Sequence, residues 1–269
     1  MLIVTLGDVL LDVIVRLDEP LATGADADAS TLTAAGGQAA NVAAWVAALG
    51  AQARCVARRG DDPAGAWVAA QLVARNVELV GPADGRTGVV VSIVSPDGER
   101  TMASDRGTAT LLAPDDLDPV WFACDCLHIS GYALLASPID AAAVRAAELA
   151  RAKGARVSVD LSAWTRIRAY GPTRFREQLD MLAPDIAFGT EREWEELGAH
   201  GATRVIKRGA AGFDVVRDGE PALRCQARDA AVVDTTGAGD ALAAGFLVGG
   251  PDAALDTAAR CVAQVGAMP

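Results

Sequence analysis

Short apolar runs recur along this chain with amphipathic stretches between them, and that alternation constrains the fold more than any other feature. The run over 2–6 ends at Gly7-Asp8, as a buried parallel strand does. Gly36-Gly37 opens a helix predicted over 38–49, which Gly50 stops. A strand follows over 53–57. Asp61-Asp62-Pro63 then starts a helix to about residue 75, with proline in its first turn. Further strands are predicted over 126–130, 156–160, 185–188 and 204–207. Helices are predicted between and after them, over 138–153, 172–182, 191–197, 239–248 and 252–265. Strands that alternate with helices form a mostly parallel sheet covered on both faces.

Two segments break the pattern. One, over about 9–33, starts strand-like and then becomes a loop rich in Ala, Asp and Gly over 19–31. The other is a hairpin, 87–94 and 100–104 around Ser95-Pro96-Asp97-Gly98-Glu99. Paired, they would make a small sheet over the main body. A second hairpin, 211–217 with 222–226, turns at Asp218-Gly219.

At 269 residues the chain is long enough for one α/β domain, expected over 1–269. Its net charge of −11 argues against nucleic acid as a partner, although one oriented loop can still hold a phosphate compound. The only lysines are Lys153 and Lys207, and neither fits a P-loop. No G-x-G-x-x-G follows the first strand, which argues against a dinucleotide site. The five cysteines are loosely spaced, and the two histidines, His128 in an apolar strand and His200 beside Gly201, do not suggest a metal site or a triad. The opening MLIVTLGD has no signal-peptide pattern, and no run suits a membrane span, so a cytoplasmic protein without membrane partners is expected.

Chemistry concentrates in two stretches. Asp234-Thr235-Thr236-Gly237-Ala238-Gly239-Asp240 feeds small residues straight into a helix, where backbone N–H groups can converge on an anion. The Asp240 carboxylate would stand beside that site, as transfer of a phosphoryl group to a hydroxyl requires. A plain helix start with an acidic first turn would have the same spacing. Gly36-Gly37-Gln38-Ala39-Ala40-Asn41 places two glycines before a helix and an amide one turn along.

Together these stretches resemble the PfkB/ribokinase family of small-molecule kinases, over nearly the whole chain. The resemblance implies a three-layer ribokinase-like α/β sandwich with a mostly parallel central sheet and a small β lid from about 9–33 and 87–106. It implies ATP and Mg²⁺ as cofactors and a sugar or sugar-like acceptor, with a nucleoside as the alternative. Asp240 falls on the family's catalytic base. Gly237, Ala238 and Gly239, with the Asp240 amide, fall on the anion hole. Asp12 falls on the carboxylate that grips substrate hydroxyls, and Gly36, Gly37, Gln38 and Asn41 on the substrate loop. Lys207, Gly209 and Gly212 match the nucleotide-side strand and turn. Asp234 and Thr236 match positions that bind a monovalent cation, K⁺, in some members. Thr190 stands where the family has Asn, while Glu193 keeps the acid expected near Mg²⁺ through water. Gln38 replaces a frequent Lys.

Asp160, at the end of a predicted strand, could reach substrate or only cap residues 161–162; Asp8 is similar. Arg106, arriving with Arg100 on the lid, could contact a phosphate or acidic substrate, or be a solvated edge charge. Trp164 is the candidate to stack on a nucleoside base. The lid's apolar face suggests a homodimer, and Thr190 leaves open a sensor that binds nucleotide without turnover.

Overall fold

The computed structural model describes residues 1–97, 99–198 and 203–269. Its elements, in chain order, are β1 (Leu2–Leu6), β2 (Leu10–Leu17), β3 (Ala29–Gly36), α1 (Gln38–Ala48), β4 (Gln52–Val56), α2 (Pro63–Ala74), β5 (Val77–Val80), β6 (Gly88–Val94), β7 (Arg100–Asp105), β8 (Cys126–Ser130), α3 (Ile139–Arg151), β9 (Arg156–Asp160), α4 (Trp164–Tyr170), α5 (Pro172–Leu182), β10 (Ile186–Thr190), α6 (Glu191–Leu197), β11 (Thr203–Lys207), β12 (Phe213–Val216), β13 (Leu223–Cys225) and α7 (Ala238–Val262). Short 3₁₀ turns fill the stretch between β7 and β8.

The main sheet runs β13-β12-β11-β10-β9-β8-β1-β4-β5. From β11 to β5 all pairs are parallel; β12 and β13 add an antiparallel edge. Every residue of β8 is buried, as continuous apolar runs in a doubly covered sheet should be. On one face α1 and α7 pack through Trp45, Ala43, Ala241 and Leu247. On the other, α3 packs through Ala142, Ala143, Ala146, Ala147 and Ala150, while Arg145 and Glu148 stay in water. That i, i+4 spacing of small residues makes a flat helix face that lies close to the sheet.

The two interruptions form the expected second sheet, ordered β3-β2-β6-β7. β2 pairs antiparallel with β3 and parallel with β6, and β6 pairs antiparallel with β7. β3 begins inside the expected loop and continues to Gly36, so a lid strand ends at the glycine pair that starts α1. Gly98 and His200 lie outside the described residues.

Two elements depart from the expected pattern. Asn76, at φ 60°, turns the chain from α2 straight into β5, a strand hidden behind the helix. α4 buries only Ile167 and has no apolar period to reveal it. The two predicted final helices are both present, separated at Gly250-Pro251 where Gly250 leaves helical geometry, and are numbered together as α7.

Candidate active site

The side expected to take the acceptor is built around Gly36 and Gly37. A Cβ on Gly36 would lie 2.2 Å from the Asp12 carboxylate, so only glycine lets Asp12 fold back against β3. Gly37 sits at φ 100°, and its Cβ would meet the Asp8 carbonyl at 2.3 Å. Burial, with the charge of Asp8 second, pushes Asp12 up to about 7 against the pull of Arg106 and Arg100. Gln38 does not point freely into the cleft: its Oε1 accepts from the Ser130 and Ser162 hydroxyls at 2.6 and 2.7 Å.

Across the cleft, α7 begins at the small-residue loop. Gly237 caps it at φ 77°, in the left-handed region that favours glycine. The Ala238 amide donates to the Thr235 carbonyl at 3.3 Å, and the first-turn amides after it lack acceptors within the helix and can face an anion. The loop is propped from behind. A Cβ on Gly237 would strike Ala267 at 2.6 Å, and the Ala267 carbonyl accepts from Trp45 Nε1 at 2.8 Å. Asp234 accepts from the Thr236 amide at 2.9 Å and hydroxyl at 2.5 Å, and from the Gly266 amide at 3.1 Å.

Asp240 is half-buried in the first turn of α7, and Asn41 Nδ2 donates to its Oδ2 at 2.7 Å. Asn41 thus orients the expected base instead of offering that amide to a substrate. Burial first, and then the Asp160 charge, raise Asp240 to about 7, opposed by Asn41 and Lys207. Asp160 is fully buried and binds Lys207 Nζ through both oxygens, at 2.9 and 2.7 Å. It also accepts from the Ser162 amide at 3.2 Å, so it holds a lysine and a turn and is not displayed to an acceptor. Lys207 in turn faces the anion loop: a Cβ on Gly239 would lie 3.1 Å from its Nζ. Burial opposes the Lys207 charge, but Asp160 and Glu193 together raise its pKa.

A cavity of about 520 Å³ opens on the other side of the loop, lined by Thr190, Lys207, Gly209, Gly212, Ala238 and Gly239. Leu242, Leu255, Ala258, Ala259 and Val262 give it an apolar wall. Gly212 is required there, since a Cβ would sit 2.0 Å from the Cys225 carbonyl. Thr190 and Glu193 form a capping box on α6: the Thr190 amide donates to Glu193 Oε2 at 2.7 Å, and the Glu193 amide donates to Thr190 Oγ1 at 3.3 Å. Burial raises the Glu193 pKa. Among the described residues no three His, Cys, Asp or Glu side chains converge as a metal cage. A magnesium ion delivered on nucleotide phosphates needs only one or two protein oxygens, and Glu193, buried behind the cavity-lining Thr190, would reach such an ion only through water. The Asp234 and Thr236 side chains fit K⁺ poorly. They bind each other, and Thr236 Oγ1 also accepts from Arg100.

The lid reaches this centre through its arginines. Arg106 pairs with buried Asp8 and lies 3.7 Å from the Tyr132 ring centroid, so it is no solvated edge charge. Arg100 reaches Thr236, at the start of the anion loop. Sequence reasoning missed Ser130, Ser162 and Tyr132, which no local pattern marks. It placed Trp164 as a stacking platform, but the Arg192 and Arg168 guanidiniums lie 3.8 and 4.9 Å from its ring centroid. His128 is fully buried with Nδ1 2.9 Å from Ser158 Oγ, as expected of a core residue.

A carboxylate held beside a helix start, with an apolar cavity beyond that start and a second carboxylate, Asp12, under the lid, suits a phosphotransferase with an alcohol acceptor. The chain belongs to the pfkB family of carbohydrate kinases, whose model matches residues 1–268. It is 30% identical to an ATP-dependent ribose-1-phosphate kinase of Halopiger xanaduensis, over 96% of this chain and 90% of that one. It is 34% identical to a fructokinase of Klebsiella pneumoniae, over 91% and 82%. The solved adenosine kinase of Sinorhizobium meliloti superposes with a TM-score of 0.89 at 26% identity, covering 99% of this chain and 95% of that one. No helix among the described residues is long and apolar enough to cross a membrane.

Proposed function

We propose that this kinase transfers the γ-phosphoryl group of Mg·ATP to a hydroxyl of a sugar. The observation that carries this reading is the Asn41–Asp240 hydrogen bond, which aims a carboxylate of raised pKa beside the α7 amides. Asp240 takes the acceptor's proton as the hydroxyl attacks. The amides of Gly237, Ala238, Gly239 and Asp240 hold the charge of the transferring group, with Lys207 beside them. Such a transfer has a loose transition state, so placement and charge stabilisation do most of the work. Asp12 grips acceptor hydroxyls, and the cavity along α7 takes adenine against Leu242, Leu255 and Val262. Bound Mg²⁺ would neutralise phosphate charge near Thr190 and Glu193.

An ADP-release assay across sugars and nucleosides tests this. The wild type should turn over a sugar, and Asp240→Asn should bind ATP yet lose about 10²–10⁴-fold in kcat. Near-normal turnover by that variant would remove Asp240 from the mechanism. Tight ATP binding without ADP release for any acceptor would make the protein a sensor. The nucleoside reading loses its stacking residue, because Trp164 is taken up by two arginines. The lid's outer face carries Val13, Val15, Val91 and Ile93, all partly exposed, and supports a lid-to-lid homodimer. Light scattering should then give twice 27.6 kDa, and a strict monomer would refute the dimer.

A further inference from the structure

Besides the nucleotide cavity, a second one of about 440 Å³ lies between the inner face of the lid and residues 232–236. Its lid wall is Ile14, Ser92 and Val94, with Arg16 and Arg100 at the tip, and Val232 and Val233 face it from the body. Asp12, Ile14 and Arg16 alternate along β2 and so share this face. The cavity therefore continues the acceptor site outward from Asp12, with Arg16 about 13 Å further along the strand at some 3.3 Å per residue.

The charges at that outer end are unusual for this molecule. Arg16 pairs with Val94 in the sheet, and Val94 with Arg100, so the two arginines flank one rung. In a chain with 35 acidic residues, other arginines beside these cavities have found a carboxylate: Arg106 binds Asp8, and Arg228 binds Asp252 and Asp256. Among the described residues Arg16 and Arg100 have no ion pair, and the recorded bond of Arg100 goes to the neutral Thr236 hydroxyl. The one carboxylate lining the cavity, Asp234, is hydrogen-bonded to Thr236 and Gly266 and meets Arg100 only through space, with the Thr236 hydroxyl between them. Two guanidiniums without an ion pair at the outer end of this cavity can take an anion that the protein itself does not place there.

We infer that the acceptor carries an anionic group, a phosphate or a carboxylate, which Arg16 and Arg100 hold while its hydroxyl lies at Asp240. The inference rests on the kinase reading and narrows its substrate class. The nucleotide is not the source of this anion, because its cavity lies across residues 232–236 and has its own donors in the α7 amides and Lys207. Arg106 does not provide this grip, since Asp8 already neutralises it.

The test compares matched acceptors: ribose with ribose 1-phosphate and ribose 5-phosphate, fructose with its 1- and 6-phosphates, and glucose with gluconate. At least one charged member should exceed its neutral partner at least tenfold in kcat/KM, and the phosphate and gluconate arms identify the group. Arg16→Gln and Arg100→Gln should each raise KM for that acceptor about tenfold or more, collapse its preference over the neutral sugar, and leave ATP affinity by calorimetry unchanged. Both side chains are at least partly exposed, so the variants should fold. Equal use of neutral and charged sugars would overturn the inference, as would variants that weaken ATP in place of the acceptor. Calorimetry of the charged sugars without nucleotide separates the two readings. If no acceptor releases ADP the kinase reading fails, whereas binding lost in Arg16→Gln would still support the anion site.

Discussion

Between about pH 6 and about pH 8, turnover should follow the ionisation of Asp240. With its pKa at about 7, the carboxylate is about one-tenth ionised at the lower pH and about nine-tenths at the upper, so kcat at saturating acceptor should rise about tenfold, while Asp12, also at about 7, acts on acceptor binding and so on KM. A base at the ordinary aspartate value of 3.8 would give a flat profile over that range. The causes of the shift predict which way two variants move it. Asp160→Asn removes a charge that raises Asp240 and releases Lys207, which lowers it, so both effects carry the rising limb to lower pH. Asn41→Ala removes a hydrogen bond that favours the carboxylate, so its limb moves to higher pH. The assay is coupled ADP release at saturating Mg·ATP, with coupling enzymes in excess at each pH. A flat wild-type profile, or two variants that shift the same way, would refute the assignment of base and environment.

Gly36→Ala places a methyl where the Asp12 carboxylate lies, so acceptor KM should rise at least tenfold while ATP binding by calorimetry holds; an unchanged KM would mean that Asp12 does not grip the acceptor. Burial lowers the pKa of His128 to about 4 from 6.5. The unfolded chain therefore binds the extra proton first as pH falls, and stability present above about 6.5 is lost on the way down to about 4, by up to about 3 kcal/mol. Urea midpoints at about pH 4.5 and about pH 7 should differ more for wild type than for His128→Gln; equal losses would remove His128 as the cause.

Much of the main sheet was legible because parallel strands are buried on both faces and write themselves as apolar runs. β8, β9 and α6 fall at their expected residues. β5 was lost because a single left-handed Asn76 joins it to a helix without the usual Gly or Pro. At the site, residue types were readable and partners were not. Asn41 meets Asp240 across 199 positions and Lys207 meets Asp160 across 47, and no local pattern encodes such pairings. Asp160 therefore read as either a substrate contact or a cap for residues 161–162; it does hold the Ser162 amide, and its role as a seat for lysine went unseen. Arg106 read as equally suited to solvent because Asp8 and Tyr132, far away in the chain, decide its place.

The amides at the start of α7 can stabilise a transition state only if they hold their aim while the ligand moves, and the Asp234–Thr236 turn alone does not anchor their glycine-rich segment to the body. The stiffness comes from Gly266, Ala267 and Trp45, none of which faces either cavity. Substitutions in that backing would therefore register as catalytic injuries with no altered ligand contact, and a survey of natural variants that scored residues by distance from substrate would misfile them as silent.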